Sequence, residues 1–105
     1  MKKEVFRVVF LNVKNRVIEI SDMFEGTVNW SNVYPREVVL RALKNASTSA
    51  ILVHNHPSGD PSPSEADKRI TKSLTDALKL VQIKVLDHVI IGAGRHFSFK
   101  DNGLI

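Results

Sequence analysis

Residues 54–67 read HNHPSGDPSPSEAD. The apolar segment 49–53 precedes them and a helix-patterned segment follows, so the sequence predicts a strand, a loop and a helix. Side chains at positions i and i+2 of a strand point to the same face, so His54 and His56 are expected to aim at one point. Asp67 would add an oxygen ligand from the first turn of the helix. Three protein ligands with one open position are typical of a catalytic zinc site, so this stretch predicts a metal site.

The same residues also allow a purely structural interpretation. Ser64 and Asp67 have the spacing of a capping box, in which both residues only cap the helix. Two histidines in a loop can be ordinary surface residues. The buried-looking strand before them and the prolines that stiffen the loop, Pro57, Pro61 and Pro63, favour the metal site.

The composition limits the class of protein. The chain has 105 residues, 43% of them hydrophobic, which suits one compact domain and is too short for two. It lacks cysteine, which excludes disulfides and thiolate metal sites and agrees with a cytoplasmic location. No apolar run approaches the length of a membrane span, and we predict no signal peptide and no membrane partner. The net charge of +4 permits weak nucleic-acid binding, although the basic residues are spread along the chain.

The remaining patterns predict five strands and two helices in the order ββαβαββ. The strands are expected at residues 5–13, 16–21, 49–53, 85–92 and 96–99. The first two should form a hairpin, with the second strand broken at residues 24–27. The helices are expected to begin at Pro35 and after the cap Ser64. Together these elements predict an α/β or α+β domain with a mixed β-sheet flanked by helices.

Two further expectations concern packing. The apolar face of the first helix should contain Val38, Val39, Ala42, Leu43 and Ala46. Trp30 falls in a segment predicted to be irregular, and we expect it to be a partly buried packing residue.

A metal-activated water needs a base to accept its proton. The upstream candidates are Glu4, Glu19, Glu25 and Glu37. If the first strand pairs antiparallel with the strand that ends at His54, the start of the first strand lies beside that histidine. Glu4 would then reach the water.

The motif H-x-H-P followed by S-x-x-D resembles the JAMM motif of the JAB/MPN metalloprotease superfamily. With Pro35-Arg-Glu37, segment 86–92 and Phe97-Ser-Phe99, nearly all of the chain is similar to the RadC-like branch of that superfamily. This resemblance implies a JAB/MPN-like fold with cytidine-deaminase-like layering, a single domain over residues 1–105. It also implies a zinc-dependent hydrolase, a peptidase or isopeptidase with one Zn²⁺ and a protein or peptide substrate.

The resemblance assigns roles to five residues. His54, His56 and Asp67 match the zinc ligands of the family. Ser64 matches the serine that hydrogen-bonds the metal water or the developing oxyanion. Glu4 best matches the upstream general acid/base.

Asp87 and His88 lie on a neighbouring buried strand and allow two readings. They could orient the ligand imidazoles, or they could form a structural hydrogen-bonded pair.

Two rival functions stay open at this point. A nucleic-acid-processing or DNA-repair role rests on the basic charge, on Lys68, Arg69 and Lys72, and on the repair label of the RadC-like branch. A non-catalytic interaction module is the other, because MPN-type domains without the motif serve as scaffolds. Proteins of the branch often carry a helical N-terminal domain, so this chain is expected to be an isolated catalytic domain or a short form. Its oligomeric state cannot be predicted.

Overall fold

The computed structural model of the chain describes residues 3–26 and 33–105. The elements in chain order are β1 (Glu4–Leu11), β2 (Val17–Gly26), α1 (Pro35–Lys44), β3 (Ser49–Asn55), α2 (Glu65–Leu80), β4 (Lys84–Gly92) and β5 (Arg95–Ser98). This is the order predicted from the sequence. Trp30, for which partial burial is expected, lies outside the described residues.

The five strands form one mixed sheet in the order β2-β1-β3-β4-β5. β1 pairs antiparallel with β2 and β3, β3 pairs parallel with β4, and β5 pairs antiparallel with β4. The parallel pair follows from α2, because a helix between two strands returns the chain to the end at which the first strand began. The predicted α+β fold with a mixed sheet is therefore confirmed.

Alternate residues of the inner strands build the core on one face of the sheet. Phe6, Val8 and Phe10 of β1 are fully buried and lie opposite His54, Leu52 and Ala50 of β3. Both helices contribute to this core, through Val38 and Ala42 of α1 and through Ile70, Leu74 and Leu78 of α2. Both helices therefore cover the same face. Side chains on the opposite face are more exposed to solvent, and Ile20 of β2 is 57% exposed.

The predicted break of the second strand at residues 24–27 is wrong, because β2 continues to Gly26. Phe24 and Gly26 pair with Phe6 and Glu4 of β1. Pairing with an internal strand outweighs the low intrinsic strand propensity of glutamate and glycine. As a result, the start of β1 has a backbone neighbour on its β2 side.

The predicted apolar face of α1 is too wide. Val38 and Ala42 are fully buried, whereas Leu43 is 53% exposed. One residue advances about 100° around a helix, so Leu43 lies at the edge of the narrow stripe that faces the core. Within the described residues, neither helix is long and apolar enough to cross a membrane.

Candidate metal centre

Polar side chains from four parts of the chain meet at the end of β3. His54 is the second-last residue of β3, and His56 follows in the loop. Asp67 lies in the first turn of α2, and Glu4 opens β1. The antiparallel register of β1 and β3 places Phe6 opposite His54, so Glu4 lies close by. Its Oε2 is 3.0 Å from His54 Nε2, which is the proximity that the sequence predicted for Glu4.

His54 is the most enclosed of these side chains. It is 1% exposed, and its ring stands nearly perpendicular to that of His56, with 4.7 Å between the ring centroids. Its Nδ1 lies 3.8 Å from Asp67 Oδ1. Burial lowers the pKa of His54, and the opposing effects of Glu4 and Asp67 are smaller. The environment therefore favours the neutral imidazole, which is the form that binds a metal.

The two nitrogens of His56 face different partners. Nδ1 lies 2.8 Å from the carbonyl oxygen of Asp60, which can only accept, so Nδ1 donates. Nε2 lies 3.1 Å from Asp67 Oδ2. A histidine that donates through one nitrogen to a backbone carbonyl presents the other nitrogen as a metal ligand, with its ring held in orientation.

Asp67 takes part in both interactions that the sequence suggested. Ser64 Oγ accepts a hydrogen bond from Asp67 N–H at 3.0 Å, and Asp67 Oδ2 accepts one from Ser64 N–H at 2.8 Å, so the capping box is present. The same carboxylate contacts both histidines and is only 1% exposed. The structural and the metal-binding interpretations are therefore compatible, because the cap holds the carboxylate at the histidines. Ser64 Oγ keeps its own hydrogen for donation.

The donor atoms fit a small divalent ion. One ligand atom each from Glu4, His54 and His56 lies within 4.8 Å of the other two. Ligands about 2.0–2.2 Å from a tetrahedral zinc ion stand about 3.3–3.6 Å apart. Among the ligands predicted from the sequence, the contacts of 3.1 Å between His56 Nε2 and Asp67 Oδ2 and of 3.8 Å between His54 Nδ1 and Asp67 Oδ1 lie on either side of that spacing. Imidazole and carboxylate donors of this kind suit Zn²⁺.

The ligand loop is fastened to the hairpin formed by β4 and β5. His56 N–H donates to the carbonyl oxygen of Ile91 at 2.8 Å, and Arg95 donates to the carbonyl oxygen of Gly59 at 3.3 Å. A Cβ atom on Gly92 would lie 2.7 Å from the Gly59 oxygen, closer than such contacts allow. The loop can pack here because residue 92 has no side chain.

Asp87 makes structural contacts in the described part of the chain. Its Oδ1 accepts hydrogen bonds from His88 N–H at 2.7 Å and Lys100 N–H at 3.0 Å, and its Oδ2 accepts one from the Ser98 hydroxyl at 2.7 Å. These bonds tie β4 to the turn after β5. They do not involve the imidazoles of His54 and His56.

His88 lies beside His54, with 5.9 Å between the ring centroids, and Thr71 links it to Asp67. Thr71 Oγ1 donates to the backbone carbonyl of Asp67 at 2.7 Å and lies 2.6 Å from His88 Nδ1. The threonine hydroxyl has one hydrogen, so His88 Nδ1 is the donor in that contact. The ring is fully buried and stacks on Phe99, with 4.5 Å between the centroids. Burial lowers the pKa of His88 to about 3, so the ring is neutral at ordinary pH.

The basic residues of α2 are partly neutralised. Lys68 forms an ion pair with Glu65 at 3.2 Å, and Lys72 forms one with Asp76 at 3.1 Å. Neighbouring carboxylates therefore offset the positive charges of two of the three residues on which the nucleic-acid interpretation rests.

Sequence reasoning did not identify the supporting roles of Asn55 and Gly92. Asn55 donates to the carbonyl oxygen of Lys3 and accepts from the N–H of Val5. Its position between two candidate ligands was the available signal. For Gly92 the signal was a glycine at the end of an apolar strand, which often marks a close approach of two backbone segments.

Comparison with known proteins gives a consistent result. A family model described as the RadC-like JAB domain matches residues 1–104. A UPF0758 protein of Vibrio atlanticus is 53% identical over 104 residues, which cover 99% of this chain and 46% of the relative. A UPF0758 protein of Paracidovorax citrulli is 52% identical over 102 residues, or 97% of this chain and 43% of the relative. One from Caldanaerobacter subterraneus is 53% identical over 103 residues, or 98% and 44%. The chain thus spans less than half the length of these relatives.

Proposed function

The chain belongs to the RadC-like JAB domain family, and we propose that it is a zinc-dependent hydrolase of amide bonds, acting on a peptide or an isopeptide. One observation carries the proposal. At the end of β3, Glu4 lies 3.0 Å from His54 and Asp67 lies 3.1 Å from His56, and one ligand atom each of Glu4, His54 and His56 lies within 4.8 Å of the other two. Such a cluster would be costly to assemble in a partly buried place without a cation to balance it.

In this proposal His54, His56 and Asp67 hold the ion. When bound, zinc lowers the pKa of a coordinated water to about 7 and polarises a carbonyl. The protein orients its ligands in two ways. The Asp60 carbonyl fixes the ring of His56, and the capping box fixes the carboxylate of Asp67.

Glu4 is the proposed general acid/base. Its carboxylate is about a quarter exposed, so it can exchange protons with a substrate at the open side of the site. It would accept the proton of the attacking water and deliver it to the leaving amine. The Ser64 hydroxyl would donate a hydrogen bond to the developing oxyanion, a contribution of about 2.7–4 kcal/mol when such a donor is well placed.

Cleavage mapping tests the proposal. The zinc-loaded protein is incubated with a complex peptide mixture and with isopeptide-linked peptides, and new termini are identified by mass spectrometry. We expect cleavages that disappear with a chelator and with Glu4→Gln, which keeps the size of the side chain but cannot accept the proton. Equal cleavage by the wild type and by Glu4→Gln would point to a contaminating protease and contradict the role of Glu4.

The same experiment separates the rival functions. Zinc binding without any cleavage would favour the non-catalytic interaction module over the hydrolase. Binding to DNA that weakens steeply with salt and depends on Arg69 would revive the nucleic-acid interpretation. The cytoplasmic location remains a prediction from composition.

A further inference from the structure

The backbone pairing between β1 and β3 stops short of Glu4. The described register runs from Leu11 opposite Ser49 to Phe6 opposite His54. After His54 the segment no longer pairs with β1. His56 N–H instead donates to the carbonyl oxygen of Ile91 in β4 at 2.8 Å. In the described register, Glu4 and Val5 at the start of β1 therefore have no backbone partner in β3.

The side chain of Asn55 takes the place of that partner. Its Oδ1 accepts a hydrogen bond from Val5 N–H at 2.6 Å, and its Nδ2 donates one to the carbonyl oxygen of Lys3 at 2.9 Å. An asparagine amide has the same donor and acceptor groups as a peptide unit, so it can extend the ladder by one rung. The two bonds fall on either side of Glu4.

We propose that Asn55 is a positioning residue that holds Glu4 at the metal centre, an inference that rests on the proposed function. On the β2 side, Gly26 lies opposite Glu4. On the β3 side, the two bonds of Asn55 fix the backbone directly before and after Glu4. They keep Glu4 Oε2 at 3.0 Å from His54 Nε2.

This role differs from a general contribution to folding. Asn55 makes its two bonds to the backbone of Lys3 and Val5 rather than to a candidate ligand, so its loss should leave the ligand set intact. Catalysis is sensitive to the placement of a base, and a displacement of about 1 Å can reduce a rate about 10²-fold. The loss of Asn55 should therefore lower kcat strongly and leave zinc affinity and KM nearly unchanged.

Three variants of the full chain test the inference. Asn55→Ala removes both bonds. Asn55→Asp keeps an acceptor for Val5 N–H but loses the donor to Lys3. The matched control is Asn45→Ala, because the Asn45 amide also makes one accepted bond, from Ser47 N–H at 3.0 Å, and one donated bond, to Glu19 at 2.9 Å. Asn45 lies before the start of β3, at the opposite end of that strand from the site.

The first readout needs no catalytic activity. Amide hydrogen exchange of Val5 should accelerate about threefold to tenfold in Asn55→Ala, the effect of losing one hydrogen bond. Exchange of Val8, in the middle of β1, should not change and reports that the protein is folded. Unchanged exchange of Val5 would overturn the inference.

The second readout is the split between zinc content, KM and kcat. We expect Asn55→Ala to retain zinc and to lose about 10²-fold in kcat, with Asn55→Asp in between and Asn45→Ala at the wild-type value. On the low residual rate of a Glu4→Gln background, measured at high enzyme concentration, Asn55→Ala should have no further effect. An equal loss of kcat in Asn45→Ala, or an additive loss in the double variant, would overturn the positioning role.

The two proposals fail in different ways. A wild type that binds no zinc and cleaves no substrate would overturn the proposed function, and the positioning role with it. A wild type that is active, with unchanged Val5 exchange or full kcat in Asn55→Ala, would overturn the positioning role alone.

Discussion

The carboxylate of Glu4 lies 3.0 Å from the imidazole of His54, Oε2 to Nε2, although 50 positions separate the two residues along the chain. The antiparallel pairing of β1 with β3 accounts for this contact, because it brings the start of one strand to the end of the other. Glu4, from β1, and Asp67, from α2, thus both lie within 4 Å of His54. Either carboxylate has the chemistry of a ligand, so their roles have to be separated by experiment.

The first prediction separates them. Glu4→Gln should keep zinc and lose hydrolysis, because the amide retains the size of the side chain but cannot accept the proton. Asp67→Asn should lose zinc, with affinity reduced at least about tenfold, because a carboxylate in contact with both histidines becomes neutral. Competition with a chelating dye measures the zinc affinity of both variants. Loss of zinc in Glu4→Gln with retention in Asp67→Asn would reverse the assignment.

The second prediction separates the two roles of Ser64. Its hydroxyl caps α2 and is the proposed donor to the oxyanion. Glycine is nearly as good a cap as serine, so Ser64→Gly should cost only a few tenths of a kcal/mol in unfolding free energy. Its kcat should fall about 10²–10³-fold, because a donor to the oxyanion is lost. If kcat falls only as much as the small loss of folded protein explains, Ser64 acts as a helix cap only.

The third prediction concerns the packing of the ligand loop. Gly92→Ala would place a Cβ 2.7 Å from the Gly59 oxygen and 3.2 Å from the Pro61 nitrogen, so the loop must move. We expect a loss of about 1–3 kcal/mol in unfolding free energy and a weakening of zinc affinity of about 10–100-fold.

Gly94→Ala is the control for this prediction. A Cβ at Gly94 meets nothing within 4 Å, but its φ of +76° strains an alanine. It should therefore lose about 1–2 kcal/mol of stability and keep its zinc affinity. Equal zinc affinity in the two variants would argue against loop placement by Gly92.

The fourth prediction concerns the pH dependence of stability in metal-free protein. The folded pKa of His88 is about 3, below its ordinary value of 6.5, because the ring is buried. The unfolded state therefore binds more protons between these values, and stability is full above pH 6.5 and falls as the pH drops toward 3. The slope from His88 is at most about 1.4 kcal/mol per pH unit.

Comparison with His88→Gln isolates this slope. The wild type should lose unfolding free energy relative to the variant as the pH falls from 6.5 to 4, measured by urea denaturation. Parallel pH profiles of the two proteins would show that His88 does not remain neutral in the fold.

The sequence predicted the parts of the site that follow from local periodicity. The capping spacing at Ser64 predicted the cap that holds Asp67, and the strand order predicted the approach of Glu4. Strand alternation was expected to align His54 with His56, but β3 ends at Asn55 and His56 lies in the loop. The extension of β2 to Gly26 depends on pairing with β1, which overrides local propensity. The contact of Asn55 with the β1 backbone arises only once two distant strands are in register, so local pattern could not predict it.

Elemental analysis of the purified, untagged protein tests the central claim most directly. We predict about one zinc ion per chain in the wild type and none in the variant that combines His54→Ala and His56→Ala. A wild type that stays metal-free after zinc is added back would contradict the account. The loop would then be a capped helix start with two histidines, and the interaction-module interpretation would take precedence.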